Sequence, residues 1–257
     1  MLRVHSPVYQ PSVNAGRTML KDLIEGFREF RRTNFKQQRG LFRTLAWAGQ
    51  KPKAALITCC DSRVDPTLIF AAQPGDLFVV RNVANLVPPY KPNQDYHGTS
   101  AALEFAVREL GVQLLVVMGH SQCGGVAALP KDRSDQKSDF VDHWMSIAEP
   151  ALTKLREGLP ADAETDLPEL ERAVVRLSLD NLRTFPWIAE AEREGRLLLC
   201  GMLFDVADAE LHVLDNATGQ FQPVSPPRPR FHSTHSALSA TAAAAVEGSA
   251  EETAAHT

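Results

Sequence analysis

Cysteine is scarce in this chain. Four thiols among 257 residues are too few to staple a fold, and in a reducing setting such thiols serve metal binding or catalysis. Long apolar runs are missing too. The longest, LLVVM and LLLCGMLF, fall far short of the roughly 20 residues of a spanning helix, so no membrane partner is expected. Neither sign of charge dominates: a formal net of −4 gives no basic footprint for nucleic acid. The opening MLRVHSPVYQPSVNAGRTML has no acidic residue and no hydrophobic h-region. It does not read as a secretory signal, and a cytoplasmic setting is expected. What is present is an ordinary apolar share, 44%, able to bury a sizeable core.

Residues 1–18 show no period and read as an arm. From Met19, the positions Leu20, Leu23, Ile24, Phe27 and Phe30 recur at helical spacing, as does a second piece, FKQQRGLFRTLAWAG, that stops at Gly49. Both read as core-facing helices. AALITC (54–59) is short and wholly apolar in character, the mark of a strand buried on both faces. Asp65-Pro66 supplies an N-cap and a first helical residue. LFVVRN and QLLVVMG read as further strands, with a helix over 98–110 between them and helices over 138–157 and 167–185 after them. RLLLCGMLFDV and AELHVLD are close enough for a hairpin. Strands alternating with helices predict an α/β fold: a mostly parallel sheet flanked by helices, with an antiparallel edge strand and an N-terminal helical arm. One domain is expected over 19–222. The Pro-, Ser-, Thr- and Ala-rich 223–257 reads as a disordered tail.

Two unusual segments follow strands: CCDSR after the first, GHSQCGG after the third. Ligand sites in open parallel sheets lie beyond the C-terminal strand ends, so the two segments are expected to meet. Cys59, His120 and Cys123 would then offer two thiolates and an imidazole, a good zinc set. The nearest fourth ligand is Asp61, a weaker oxygen donor that Arg63 can hold off the metal in a fork geometry. Taken singly, each residue has a plainer reading: a small buried thiol, a core histidine, a loop ion pair. Cys60 alternates to the opposite face and reads, with Cys200, as buried packing.

CCDSR with HSQCGG about sixty residues later resembles a β-class carbonic anhydrase. GDLFVVRNVANLVPPY and GTSAALEFAV are similar to its plant-type branch, and the likeness runs over roughly 19–222. The resemblance implies an enzyme, a zinc lyase, with one Zn2+ per subunit on Cys59, His120 and Cys123. Zinc would turn bound water into hydroxide that adds to CO2, giving bicarbonate and a proton. Asp61 and Arg63 would form the dyad beside the metal, with Asp61 a possible fourth ligand in a closed state. Gln50, nine residues before Cys59, would donate to substrate. Phe78, Val83, Phe105 and Gly124 would line the pocket. The resemblance also implies a homodimer or higher homo-oligomer with the N-terminal helices wrapped over the partner and the site at the subunit interface, Gln50, Phe78 and Phe105 arriving from the neighbour. Phe105 stands where many plant-type members have tyrosine. Hydrolysis of CS2 or COS on the same scaffold, and a zinc-stabilised assembly module, are the competing readings.

Overall fold

Chain segments that are apolar at every position must be covered on both faces, and two of them form the centre of this molecule. A computed structural model describes residues 13–93, 95–131, 138–160 and 163–224. Helices α1 (Val13–Arg32), α2 (Asn34–Gln37) and α3 (Arg39–Ala48) precede β1 (Ala54–Cys59), α4 (Pro66–Ile69), β2 (Leu77–Asn82), α5 (Gly98–Glu104), β3 (Leu114–His120) and α6 (Gly124–Ala128). Then come α7 (Val141–Met145), α8 (Glu149–Arg156), α9 (Leu167–Arg183) and α10 (Pro186–Arg193), followed by β4 (Leu198–Phe204), β5 (Leu211–Asp215) and β6 (Gln220–Pro223). The sheet order is β2-β1-β3-β4-β5-β6. The first four strands run parallel and the last two pairings are antiparallel. This is the expected α/β architecture, with β6 an additional edge strand that QFQP did not announce.

β1 is buried along its whole length and β3 nearly so. Ala55 and Ile57 face a core shared with Leu103, Leu179 and Phe185. Ala54 and Leu56 face the other core, with Val64 and Met118. Each fully buried Leu or Ile contributes roughly 1.5–3 kcal/mol, so the centre of the sheet fixes where these strands end. Asp65 caps α4 as expected, its carboxylate accepting from the Thr67 and Leu68 N–H groups. The helix expected over 98–110 widens into a π turn at Phe105–Glu109, closed by Leu110 N–H donating to the Phe105 carbonyl.

Three expectations need correction. The first helix begins at Val13, not Met19. The N-terminal helices do not face a core within the chain: α1, α2 and α3 contain no buried residue, and Leu23 is 73% exposed. Their apolar stripe is formed as expected; Phe30 packs against Phe35 and Phe42, while Leu20, Leu23 and Phe27 stay exposed among the described residues. Cys60 is exposed rather than packed, because β1 ends at Cys59 and the next residue has left the sheet. Of the expected arm, 1–12 lie outside the described residues, as does the expected tail from 225 onward. No described helix is long and apolar enough to cross a membrane.

Candidate metal centre

Parallel pairing brings the two segments together. In the β1–β3 register the last pair is Thr58 with Met118. Cys59 and His120 therefore emerge side by side at the C-terminal ends of adjacent strands. The chain then turns through Ser121 and Gln122, and Cys123 becomes the N-cap of α6. The Ser121 N–H donates to the Phe204 carbonyl at 2.9 Å, and the Ser121 hydroxyl accepts from the Val206 N–H at 2.9 Å, so β4 anchors this turn. Behind it α9 approaches closely at Gly119, where an added Cβ would lie 2.8 Å from a Val175 methyl.

Cys59, His120 and Cys123 are all buried, and one ligand atom from each lies within 4.8 Å of the others. The two sulfurs are 4.0 Å apart. Two thiolates bound tetrahedrally at ~2.3 Å from one zinc would be about 3.8 Å apart. His120 Nδ1 lies 2.9 Å from the Ser121 carbonyl, which places its proton there and leaves Nε2 as the lone-pair nitrogen. That Nε2 is buried and has no hydrogen-bond partner. An orphaned, buried ring nitrogen facing two sulfurs fits a tetrahedral cation such as zinc.

The charge state agrees. The Cys59 thiol is pulled down, chiefly by a hydrogen bond with Cys123, against burial and with help from His120 and the Asp61 and Ala84 backbone. Cys123 is pushed up by the same partner and by burial. One sulfur thus holds charge and its neighbour keeps a proton, which a bound cation would displace. Burial opposes an imidazolium at His120, but Cys59, the Ser121 carbonyl and Asp61 outweigh it and move the ring upward, so a cation at Nε2 would compete there with a proton.

Asp61 sits beside this cluster with Oδ2 3.9 Å from His120 Nε2. Arg63 holds it in a fork, Nε to Oδ1 at 2.9 Å and Nη2 to Oδ2 at 2.8 Å, with the Arg63 N–H also on Oδ1. These bonds keep the carboxyl well below the usual carboxylate range. In this structure Asp61 is therefore paired with Arg63. Val83 follows β2 directly, and its side chain lies close to Gly125. A Cβ at Gly124, the residue after Cys123, would meet nothing within 4 Å.

The remaining expected pocket residues are not brought here by their own chain. Phe78 pairs with Ala55 while Asn82 pairs with Cys59, so Phe78 sits four residues back, about 13 Å along the strand. Gln50 precedes β1 and is exposed. Phe105 is 45% exposed with its ring centroid 6.0 Å from that of Phe78. All three lie toward the opposite end of the sheet. Conversely, Arg81 and Glu171 belong to the surroundings and were not anticipated. Arg81 donates to the carbonyls of Cys59, Asp61 and Val64 at 3.0, 2.7 and 2.6 Å. Glu171 accepts from the Cys123 N–H at 2.9 Å, and burial raises its carboxyl. Each had a signal: a lone charge inside a strand and on the apolar stripe of a helix.

Residues 54–211 match the family model described as carbonic anhydrase. The chain belongs to the carbonic anhydrase family. It is 39% identical over 202 residues to "Carbonic anhydrase" of Pseudomonas aeruginosa, covering 79% of this chain and 90% of that one. To "Beta carbonic anhydrase 5, chloroplastic" of Arabidopsis thaliana it is 38% identical over 194 residues, 73% of this chain and 62% of the other. The solved β-carbonic anhydrase CcaA superposes with a TM-score of 0.75 at 32% identity, over 83% of this chain and 94% of that one. Two structures described as tetrameric β-carbonic anhydrases, from Sordaria macrospora, give 0.65 at 30% identity, over 81% of this chain and 98% of that one. The chain is thus a β-class carbonic anhydrase of the plant-type branch, and by that membership an enzyme, a lyase.

Proposed function

We propose that the protein catalyses the reversible hydration of CO2 to bicarbonate and a proton, in the cytoplasm, with one Zn2+ per subunit held by Cys59, His120 and Cys123. The observation that carries this is the buried, partnerless His120 Nε2 facing two sulfurs 4.0 Å apart, next to a carboxylate that its own arginine restrains. Zinc in that position would supply a nucleophile at neutral pH by acidifying a water molecule.

The chain's own residues do the rest. Asp61 stays ionised, accepts a hydrogen bond from the reacting water and so turns a lone pair toward the carbon. Arg63 fixes the angle of that carboxylate and would hold it off a metal bound by Cys59, His120 and Cys123. Val83 and the open face at Gly124 provide one side of an apolar cleft for CO2. Gln50 donates to a substrate oxygen as negative charge develops there, an oxyanion-type role. Because Gln50, Phe78 and Phe105 sit at the far end of their own sheet, they complete the pocket of a second copy. The active unit is then a homodimer or a larger homo-oligomer, and the exposed stripe of α1 gives that second copy a surface to cover.

The test is a stopped-flow CO2 hydration assay on zinc-loaded protein, with CS2 and COS hydrolysis measured in parallel. Fast hydration with slow hydrolysis of the sulfur analogues is expected. The reverse order would make the protein a hydrolase of those analogues. A zinc-loaded oligomer inert toward all three would be an assembly module.

A further inference from the structure

Glu171 places a charge where charge is unfavourable. It is 3% exposed and sits on the apolar face of α9, four residues before the Val175 that packs against Gly119. Residues four apart share one helix face, so the close approach of α9 to β3 also delivers Glu171 to the turn after β3. There Oε1 accepts from the Cys123 N–H at 2.9 Å. The carbonyl of the same peptide unit, that of Gln122, accepts from Arg63 Nη2 at 3.1 Å. In a trans peptide the N–H and C=O point to opposite sides. A carboxylate and a guanidinium therefore grip one peptide plane from its two edges, each on the edge that suits its charge.

The grip has work to do. Gln122 has φ 56, a left-handed conformation that a residue with a Cβ adopts only under constraint. It relaxes by rotating about its backbone bonds, and any such rotation moves the Cα of Cys123 and swings its sulfur. We propose that Glu171 is a positioning residue of the metal centre. Through the Gln122–Cys123 peptide it holds the Cys123 sulfur toward Cys59 and His120. Through the same peptide it links that ligand to Arg63, and so to Asp61. This rests on the zinc reading given above.

The test compares wild type, Glu171→Gln and Glu171→Leu. Gln keeps an oxygen acceptor in the same place and loses only the charge, whereas Leu loses both. Zinc-loaded proteins are mixed with excess chelator and metal release is followed. Release is expected about 3-fold faster in Glu171→Gln and on the order of 10–100-fold faster in Glu171→Leu, the range typical of lost outer partners. Cobalt(II)-substituted protein gives a second readout, with the sulfur-to-metal charge-transfer band of Glu171→Leu expected to shift. A role in fold stability alone would leave release rates and the cobalt spectrum of the folded variants at wild-type values. Equal release rates in all three proteins overturn the proposal while leaving the zinc site intact. If Glu171→Leu does not fold, Glu171→Gln decides alone, and a wild-type release rate overturns it. A wild type that binds neither zinc nor cobalt overturns the metal reading and this proposal together.

Discussion

The sulfurs of Cys59 and Cys123 lie 4.0 Å apart although 64 positions separate them in the chain. Parallel strands and one tight turn produce that proximity, and both thiols are buried when it is reached. Two thiols so placed share a proton unless a cation takes its place. Cys59→Ser and Cys123→Ser are each expected to weaken zinc binding by more than about 100-fold, beyond the range for loss of an outer partner. Metal analysis of the purified variants checks this, and a full zinc complement in either one removes it from the ligand set.

In the proposed reaction Asp61 and Arg63 act beside the metal rather than on its retention. Asp61→Asn and Arg63→Ala are expected to lower kcat/KM for CO2 by roughly 100-fold or more, with zinc content unchanged. Arg63→Ala also frees the Asp61 carboxylate from its fork, so its activity is expected to be lost in part through closure of the fourth metal position. Wild-type rates in both variants would exclude the pair from the reaction.

Gly119 lets α9 lie flush against β3 one residue before His120. An added methyl would stand 2.8 Å from Val175 Cγ2 and 3.2 Å from Leu203 Cδ1. Gly119→Ala is expected to cost about 1–3 kcal/mol, as overpacked cores do, measured by urea unfolding of the metal-free protein. An unchanged midpoint would mean that the helix moves away freely.

Asp65 ties stability to pH at the cap of α4. Its carboxylate lies below the ordinary range, chiefly through the Thr67 hydroxyl, then the Leu68 and Thr67 N–H groups and the Arg81 charge. A depressed carboxyl stabilises the fold above its unfolded pKa of ~3.9, and that contribution disappears as pH falls through the lower folded value. Asp65→Ala is expected to cost about 1 kcal/mol at neutral pH. The difference from wild type should narrow below the ordinary range, and denaturation at pH 7 and in acid reads it. An equal difference at both would assign the effect to something other than the ionised cap.

Most of the architecture was legible because its signals are local. Ala54–Cys59 and Leu77–Asn82 coincide with the predicted strands, the first read from an apolar run and the second from LFVV with a charge at its end. The α4 cap was readable from Asp65-Pro66. What escaped notice depends on neighbours in space. The exposed face of α1 carries the period of a core helix, so periodicity alone reads it as core-facing, while the family resemblance places it over a partner subunit. Cys60 follows a strand rule that lapses one residue after the strand ends. β6 contains glutamines and a proline, and gains its pairing from β5. Glu171 is a charge on an apolar stripe, an anomaly visible in the sequence whose partner, the Cys123 N–H, is not.

The stripe of α1 supports a prediction of its own. Leu23 and Phe27 are 73% and 58% exposed, on the face expected to meet a second copy. Leu23→Glu combined with Phe27→Glu is expected to yield monomers in sedimentation. These should keep their zinc but lose about 100-fold in activity, because the Gln50 donor of the neighbour is gone, within the range for loss of one oxyanion donor. Active monomers would show that each chain builds its pocket alone.

The most direct measurement is X-ray absorption at the zinc edge of the purified, zinc-loaded enzyme. Two sulfur neighbours at ~2.3 Å and two nitrogen or oxygen neighbours at ~2.0–2.1 Å are expected, with one sulfur lost from the shell in Cys123→Ser. A shell of four sulfurs, or one with none, would contradict a site built from Cys59, His120 and Cys123.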